Sequence, residues 1–279
     1  MGDLRNARAS VGEAWRDFRW LEYRPFLWLM LVQLLFLLLA SNLQTPWGMA
    51  GAGWILRTLG EPGVHYPSSF LVLSSAYARL ESVLFALLGS FLIPLSLARI
   101  QAPMLQMPPT GPDTVRRARR AYMVAIVGYL LNLIILIAWE LLLEVGPRRW
   151  FQALLGGIKG EIVAWLLGAL VAFAVAVLFL YVPIRAVEDE SSFGYALGGG
   201  IREGMRSFTP TFVLVMMVAW PTLVLLALIQ IRPALIVTRF RPELMPILLA
   251  ILAVLNSFVN YLIYSAASRL HWLTRGRES

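Results

Sequence analysis

The chain has 279 residues, of which 59% are hydrophobic and 14% charged, with a net charge of +8 and a mean hydropathy of +0.70. Soluble globular proteins are nearer half apolar and a quarter charged, so this composition excludes an ordinary soluble fold and predicts lipid as the solvent for much of the surface. Cysteine is absent, which excludes disulfides, thiolate metal sites and cysteine nucleophiles, and the basic balance of so apolar a chain favours an anionic bilayer over nucleic acid.

The first predicted element is an amphipathic helix within residues 1–24. Apolar residues recur at helical spacing from Leu4 to Phe18, and arginines surround that stripe. A helix of this kind lies in the membrane interface with its cationic side chains towards anionic headgroups. The segment lacks a short apolar core and a small-x-small cleavage site, so we do not expect a secretory signal.

Six apolar runs follow, each near the 20 or so residues that a transmembrane helix needs. We therefore expect an all-α membrane protein with a transmembrane domain over 25–268 and a short tail over 269–279. The predicted spans are about 25–43, 80–98, 122–143, 162–184, 211–231 and 244–268. The second run is the weakest, because Arg79 and Glu81 lie just before its apolar stretch and Pro94 falls inside it.

The distribution of positive charge predicts the orientation of these spans. With six spans both termini lie on one side, and that side holds 16 of the 24 arginine and lysine residues against 8 on the other. The positive-inside rule then places both termini in the cytoplasm. The preference for arginine over lysine, with abundant alanine and leucine, favours a bacterial source, so the expected location is the cytoplasmic (inner) membrane.

Basic and aromatic segments between the spans predict further interfacial helices. Residues 47–59 and 149–159 carry tryptophans that suit the outer interface. An arginine-rich segment precedes each odd-numbered span, and each even-numbered span closes with an arginine (Arg99, Arg185 and Arg269). The pattern indicates either snorkelling anchors at the helix ends or three tandem hairpins, each with a basic helix followed by two spans.

Ionisable groups at membrane depth are costly and are functional candidates by default. The third span contains Glu140, beside Trp139 and about one turn from its outer end, with Asn132 and Tyr129 near the same helical face. Glu140 either reaches the headgroup layer or faces inward as a carboxylate that binds a cation or proton.

The sixth span has Asn256, Asn260 and Tyr264 at four-residue intervals. Side-chain amides at this depth commonly form hydrogen bonds between helices, which contribute about 0.6 kcal/mol each. The stripe therefore predicts interhelical contacts or, alternatively, the lining of a substrate site.

The fourth span has small residues on one face, which let helix backbones approach closely. They are Ala164, Gly168, Ala172 and Ala176. We expect a tight helix–helix contact there.

The densest polar cluster follows the fourth span and includes Arg185, Glu188 and Asp189. These groups could bind a metal or catalyse acid–base chemistry, but such a run is more typical of a solvated helix end followed by a capping serine. The chain has only two histidines and no phosphate-binding loop, and Gly198–Gly199–Gly200 is expected to mark a bend. We therefore predict no cofactor, metal site or catalytic residue.

A resemblance begins at this cluster. Leu180–Tyr181–Val182–Pro183, then Val187–Glu188–Asp189, then Phe193, Ala196 and an amphipathic stretch to Phe208 are similar to a pattern in polytopic bacterial membrane proteins related to the membrane domain of glycerophosphodiester phosphodiesterase and to YciC-type proteins. The Ala14–Trp15–x–x–Phe18 opening is similar as well. The resemblance implies a helical membrane domain without an assigned reaction, and it transfers no active-site residue.

Three functions fit these observations. The first is a non-catalytic scaffold, anchor or accessory subunit that contacts anionic lipids at the cytoplasmic face and binds a protein partner or a second copy. The second is the permease subunit of a transporter that works with a separate ATPase. The third is an enzyme acting on lipid headgroups through Arg185, Glu188 or Asp189. The first is the expected function.

Overall fold

The computed structural model describes residues 2–41, 69–188, 193–231, 236, 241 and 243–275, and within these ranges the chain forms helices and no strands. The helices are α1 (Gly2–Arg16), α2 (Trp20–Ser41), α3 (Ser69–Leu84), α4 (Ser90–Gln101), α5 (Pro112–Val145), α6 (Pro147–Leu155), α7 (Gly157–Glu188), α8 (Phe193–Arg206), α9 (Phe208–Ile231) and α10 (Leu244–Arg275). A π-helical turn, Phe85–Gly89, joins α3 to α4. The predicted interfacial helix at 47–59 lies outside the described residues.

Among the described residues, six helical segments are long and apolar enough to cross a membrane, which confirms the predicted class of multi-pass, all-α membrane protein. They are Trp20–Leu39, Leu73–Gln101, Pro112–Leu143, Lys159–Glu188, Phe208–Ile231 and Leu244–Leu273. The second segment was expected to begin at residue 80, after Arg79. It begins at Leu73, because α3, the π-helical turn and α4 are continuous, and Arg79 therefore lies inside the span as well as Glu81.

Two boundaries near the basic segments also differ from those expected. Helix α2 begins at Trp20, so residues 20–24 belong to the first span and not to the interfacial helix, which ends at Arg16. The basic segment before the third span is not a separate helix, because α5 runs without a break from Pro112. The segment 149–159 falls on α6 and the start of α7, and α6 exposes Trp150 and Leu154.

The chain divides into two compact units. Unit 1 consists of Met1–Phe26, Phe85–Ala219 and Phe258–Ser279, and unit 2 of Leu27–Leu84 and Trp220–Ser257. Unit 2 has an apolar core to which its described parts of α2, α3, α9 and α10 contribute, with Phe36, Leu73, Ile229 and Leu249 among the buried side chains. Two polar contacts lie in the same unit: Tyr77 donates to Gln33 Oε1 at 3.1 Å, and Asn256 Nδ2 donates to Glu81 Oε1 at 3.0 Å.

In unit 1 the N-terminal helix contacts the C-terminal part of α10. Ala7, Ser10 and Ala14 form its buried face, whereas Arg5 and Arg8 are exposed. The contact with α10 is made by aromatic rings and by an ion pair: Trp15 and Phe18 meet Phe258, and Arg269 Nη1 lies 2.7 Å from Asp17 Oδ2. The amphipathic pattern thus corresponds to a helix whose small residues pack and whose arginines remain at the surface.

Backbone carbonyls freed by proline or by a helix end receive donors from neighbouring helices of unit 1. Pro25 has no N–H, so the Leu21 carbonyl one turn earlier loses its usual partner. Arg99 Nη1 donates to that carbonyl at 2.7 Å. At the end of α7, Arg117 Nε donates to the Val187 carbonyl at 3.1 Å, a favourable place for a cation at a helix C-terminus.

Helix α8 approaches α7 so closely that only glycine fits at two positions. A Cβ atom on Gly200 would lie 2.6 Å from the Val182 Cα, and one on Gly204 would clash with the Leu178 carbonyl oxygen. The bend expected at Gly198–Gly199–Gly200 was wrong, because these residues lie inside α8, where Gly200 packs closely on the α7 backbone.

Substituting Gly204 tests this packing. Because the neighbouring atom is backbone and cannot rotate away, we expect Gly204→Ala to lower the free energy of unfolding by about 1–3 kcal/mol. Gly198→Ala is the matched control, since nothing lies within 4 Å of its added Cβ and alanine favours the helix by up to about 1 kcal/mol. Denaturant titration of the purified proteins measures the free energy of unfolding of both variants. Equal values for Gly204→Ala and Gly198→Ala would contradict the close packing at Gly204.

Candidate functional site

Unit 1 encloses a cavity of about 190 Å³ between membrane-spanning helices. Most of its lining is apolar, and the polar atoms come from two asparagines and two tyrosines on α5 and α10. The lining residues are Phe85, Ala125, Gly128, Tyr129, Asn132, Phe173, Ala176, Phe179, Leu180, Val182, Pro183, Val215, Asn260, Ile263 and Tyr264. A concave, mainly apolar site with a few polar groups is the usual form of a small-molecule site.

The polar groups of the cavity are satisfied to different degrees. The hydroxyls of Tyr129 and Tyr264 share a hydrogen bond of 2.5 Å that joins α5 to α10. Asn132 Oδ1 is fully buried and has no hydrogen-bond partner among the described residues. An unsatisfied buried polar atom costs about 1–3 kcal/mol, and Trp139 Nε1 and Ser265 Oγ are likewise buried without a hydrogen-bond partner among the described residues.

The cavity brings together several residues that the sequence indicated separately. Asn132 and Asn260 line it, and so does Ala176 of the small-residue face. Asn256 is not part of it, although it shares the helical stripe with Asn260, because its amide binds Glu81 in unit 2. Glu140 is exposed on α5 and does not line the cavity.

The small-residue face of the fourth span is not one continuous contact. Ala164 is buried, and a Cβ on Gly168 would meet Leu143 Cδ1 at an ordinary 3.5 Å. Ala172 is partly buried and Ala176 is exposed. No tight approach is seen at Gly168, whereas the close approaches of α7 involve Gly128, Gly160, Gly200 and Gly204.

A second polar cluster lies at the end of α7, where the sequence suggested acid–base groups. Glu188 Oε2 lies 2.9 Å from His271 Nε2 on α10, and His271 Nδ1 lies 3.5 Å from Glu203 Oε1 on α8. Arg185 Nη1 is 4.0 Å from Glu188 Oε2. The side chains of His271 and Glu188 are only 2% and 6% exposed, so the cluster joins three helix ends and leaves little carboxylate surface open to a substrate.

The sequence did not identify His271 or Glu203 as members of this cluster. No local pattern relates His271 to Glu188, because the two residues are 83 positions apart in the chain. Asp189 lies outside the described residues. Among the described residues, no group of three or more His, Asp or Glu side chains is arranged to hold a metal ion.

Glu81 is a polar residue of the second span to which the sequence assigned no role. It falls within the predicted span, about 80–98, and within the observed segment, where it accepts a hydrogen bond from Asn256. The π-helical turn begins four residues later, and such turns are frequent at functional sites.

No protein-family model matches the chain, and neither a curated protein nor a solved structure matches it. The resemblance to the membrane domain of glycerophosphodiester phosphodiesterase and to YciC-type proteins therefore stays a prediction. The assignment of function depends on the geometry of this chain alone.

The pH dependence of stability tests the cluster at the end of α7. The contact with His271 lowers the pKa of Glu203 below its ordinary value of 4.5, with Arg185 and Arg206 acting in the same direction. When folding lowers the pKa of a carboxyl group, the group stabilises the fold fully at pH values above the pKa that it has in the unfolded chain. This contribution is lost as the pH falls through the lower pKa of the folded state. We expect Glu203→Gln to lower the free energy of unfolding by about 1 kcal/mol at neutral pH and by less at pH 3. This figure already allows for the partial solvent exposure of the Glu203 side chain.

The double variant Glu203→Gln/His271→Gln supplies the control for this prediction. Because Glu203 acts mainly through His271, Glu203→Gln in a His271→Gln background is expected to change the free energy of unfolding much less than it does in the wild type. Unfolding followed by circular dichroism over this pH range gives both values. A cost of Glu203→Gln that does not change with pH would refute the assignment.

Proposed function

We propose that this protein is a non-catalytic, multi-pass membrane protein that serves as a scaffold, anchor or accessory subunit of a membrane complex. In this proposal it resides in the bacterial cytoplasmic membrane with both termini inside. Its partners are anionic lipids at the cytoplasmic face and either another protein or a second copy of itself.

The observation that carries this proposal is the burial of the polar side chains that cluster at the end of α7. A catalytic carboxylate needs a face open to substrate, whereas Glu188 is nearly buried and hydrogen-bonded to His271. Its position is suited to holding α7 and α10 together. The burial of Glu188 therefore argues against the enzyme hypothesis. Asp189, the other carboxylate of that hypothesis, lies outside the described residues.

The N-terminal helix supports the lipid part of the proposal. Its buried face packs through small residues, and the opposite side exposes Arg5, Arg8 and Arg16, with Trp15 at its end. Exposed arginine with an adjacent tryptophan suits the boundary between acyl chains and anionic headgroups, where each cation near the surface contributes about 1 kcal/mol.

Native purification tests the proposed role. We expect the tagged full-length protein, extracted in a mild detergent and examined by native mass spectrometry, to carry a stoichiometric protein partner or a second copy, together with phosphatidylglycerol or cardiolipin. Replacing Arg5, Arg8 and Arg16 by glutamine should reduce the bound anionic lipid and leave the protein partner, because these side chains face outward. A lone monomer without lipid would count against the proposal.

The same experiment addresses the permease alternative, which the cavity of unit 1 favours because a transporter needs an internal binding site. The chain contains no phosphate-binding loop, so this alternative requires a separate ATPase. A co-purified ATPase whose ATP hydrolysis rises in the complex would support it over the scaffold.

The proposed orientation can be tested with single cysteines, because the natural chain contains none. Ala9 on α1 and Ala153 on α6 are both exposed, so a cysteine at either position is accessible to a reagent on its own side of the membrane. In intact cells we expect a membrane-impermeant maleimide to label Ala153→Cys and not Ala9→Cys, and in inverted vesicles the reverse. Labelling of Ala9→Cys in intact cells would place the N-terminus outside.

A further inference from the structure

We infer that Glu81 and Asn256 form a proton-binding site of unit 2 within the membrane. Asn256 Nδ2 donates a hydrogen bond to Glu81 Oε1 at 3.0 Å, which leaves Oε2 as the atom that can carry a proton. Binding one proton from water converts the Glu81 carboxylate into a neutral carboxyl group, and releasing that proton restores the negative charge. An ionisable group inside a span is a functional candidate, because the bilayer makes its charge costly.

The position of Asn256 shows how deep the site lies. Asn256 is 12 residues after Leu244 and 17 residues before Leu273, which are the two ends of the sixth span. At about 1.5 Å per residue these separations are roughly 18 Å and 26 Å, so Glu81 meets Asn256 near the middle of that helix and not among the headgroups. The surroundings are apolar, because Leu252, one turn before Asn256, belongs to the buried core of unit 2.

The described part of unit 2 gives Glu81 no cation to pair with. Arg79 lies two positions earlier on the same helix, where side chains do not face each other, and it is exposed. Arg241 and Glu243 are exposed as well and precede the start of α10. No arginine of these described residues interacts electrostatically with Glu81. A carboxylate without a counterion in apolar surroundings binds a proton, since the charged form is too costly to bury.

The ligand is a proton and not a metal ion, because the neighbouring polar groups are engaged as donors. Tyr77, one turn before Glu81, donates its hydroxyl to Gln33 Oε1 at 3.1 Å. Asn256 turns its Nδ2 towards Glu81 and not its carbonyl oxygen. A hard metal ion takes about six oxygen ligands, whereas a proton needs only one oxygen atom of Glu81.

The site is also placed to exchange its proton. The Glu81 side chain is partly exposed, in contrast to Tyr77 and Gln33, which are buried. The helix changes its hydrogen-bonding pattern four residues after Glu81, where the π-helical turn begins, and such irregularities are frequent at functional sites. A carboxyl group that gains and loses a proton within a span is the usual element of a proton relay. The site therefore fits a proton relay, a role that the scaffold proposal does not include.

Infrared difference spectroscopy of the full-length protein in nanodiscs tests the inference. An exposed glutamate is ionised at about pH 6, whereas we expect Glu81 to show the C=O stretching band of a protonated carboxyl group at that pH and to lose it by about pH 9. Glu81→Gln should remove this band. Glu140→Gln is the matched control, because it removes an exposed glutamate of the third span, and it should keep the band.

Reaction with dicyclohexylcarbodiimide, an apolar reagent that modifies protonated carboxyl groups in apolar surroundings, locates the proton. Mass spectrometry of the digested protein should find the modification at Glu81, and its extent should fall over the same pH range. In Asn256→Leu the loss of a donor that stabilises the carboxylate should move the midpoint of both measurements up by about one pH unit. Asn260→Leu, one turn further along α10 and not bonded to Glu81, should leave the midpoint unchanged.

Three results would overturn the inference. The first is the absence of both the band and the modification at Glu81 at every pH, in a protein that thermal unfolding shows to be folded, because Glu81 would then stay ionised. The second is a band and a modification that persist unchanged over the whole pH range, because the proton would then not exchange. The third is an unchanged midpoint in folded Asn256→Leu, because Asn256 would then not hold the carboxylate.

Discussion

The membrane interior offers no water, so each polar group of a spanning helix must be satisfied by the protein itself. In this chain that constraint determines which helices are joined and where. The clearest case is Pro25, whose missing N–H frees the Leu21 carbonyl, which then accepts a hydrogen bond from Arg99. The arginine that the sequence suggested as a membrane anchor thereby becomes part of the contact between α4 and α2.

Similar contacts recur through unit 1. Gln101 donates to the Ile184 carbonyl, and Arg117 donates both to the Val187 carbonyl and to Gln101 Oε1. Tyr181 and Thr211 share a buried hydrogen bond of 2.7 Å between α7 and α9. Together with the close approach of α8 at Gly200 and Gly204, these contacts make α7 the helix on which much of unit 1 packs.

The buried cluster of Glu188, His271 and Glu203 follows the same rule with charged groups. An imidazole between two carboxylates joins α7, α8 and α10 at their ends. Breaking such a cluster leaves a nearly buried carboxylate without its donor, which costs more than the original contact contributes.

The sequence by itself determined the class of the protein and most of its helices. Hydropathy is a local property summed over about 20 residues, so six spans could be recognised without any knowledge of their neighbours. It also identified Asn132, Asn256 and Asn260 as unusual polar residues. The second span was less well defined, because Arg79 and Glu81 lower the local hydropathy although α3 and α4 are continuous through the π-helical turn.

Only the tertiary structure decided what those polar residues do. Asn256 and Asn260 are one turn apart, yet one binds Glu81 and the other lines the cavity. Periodicity shows which residues share a face of a helix, but not which helix lies opposite that face. Contacts such as Glu188 with His271 join positions far apart in the chain, and they exist because folding brings separate spans together in a solvent that cannot satisfy them.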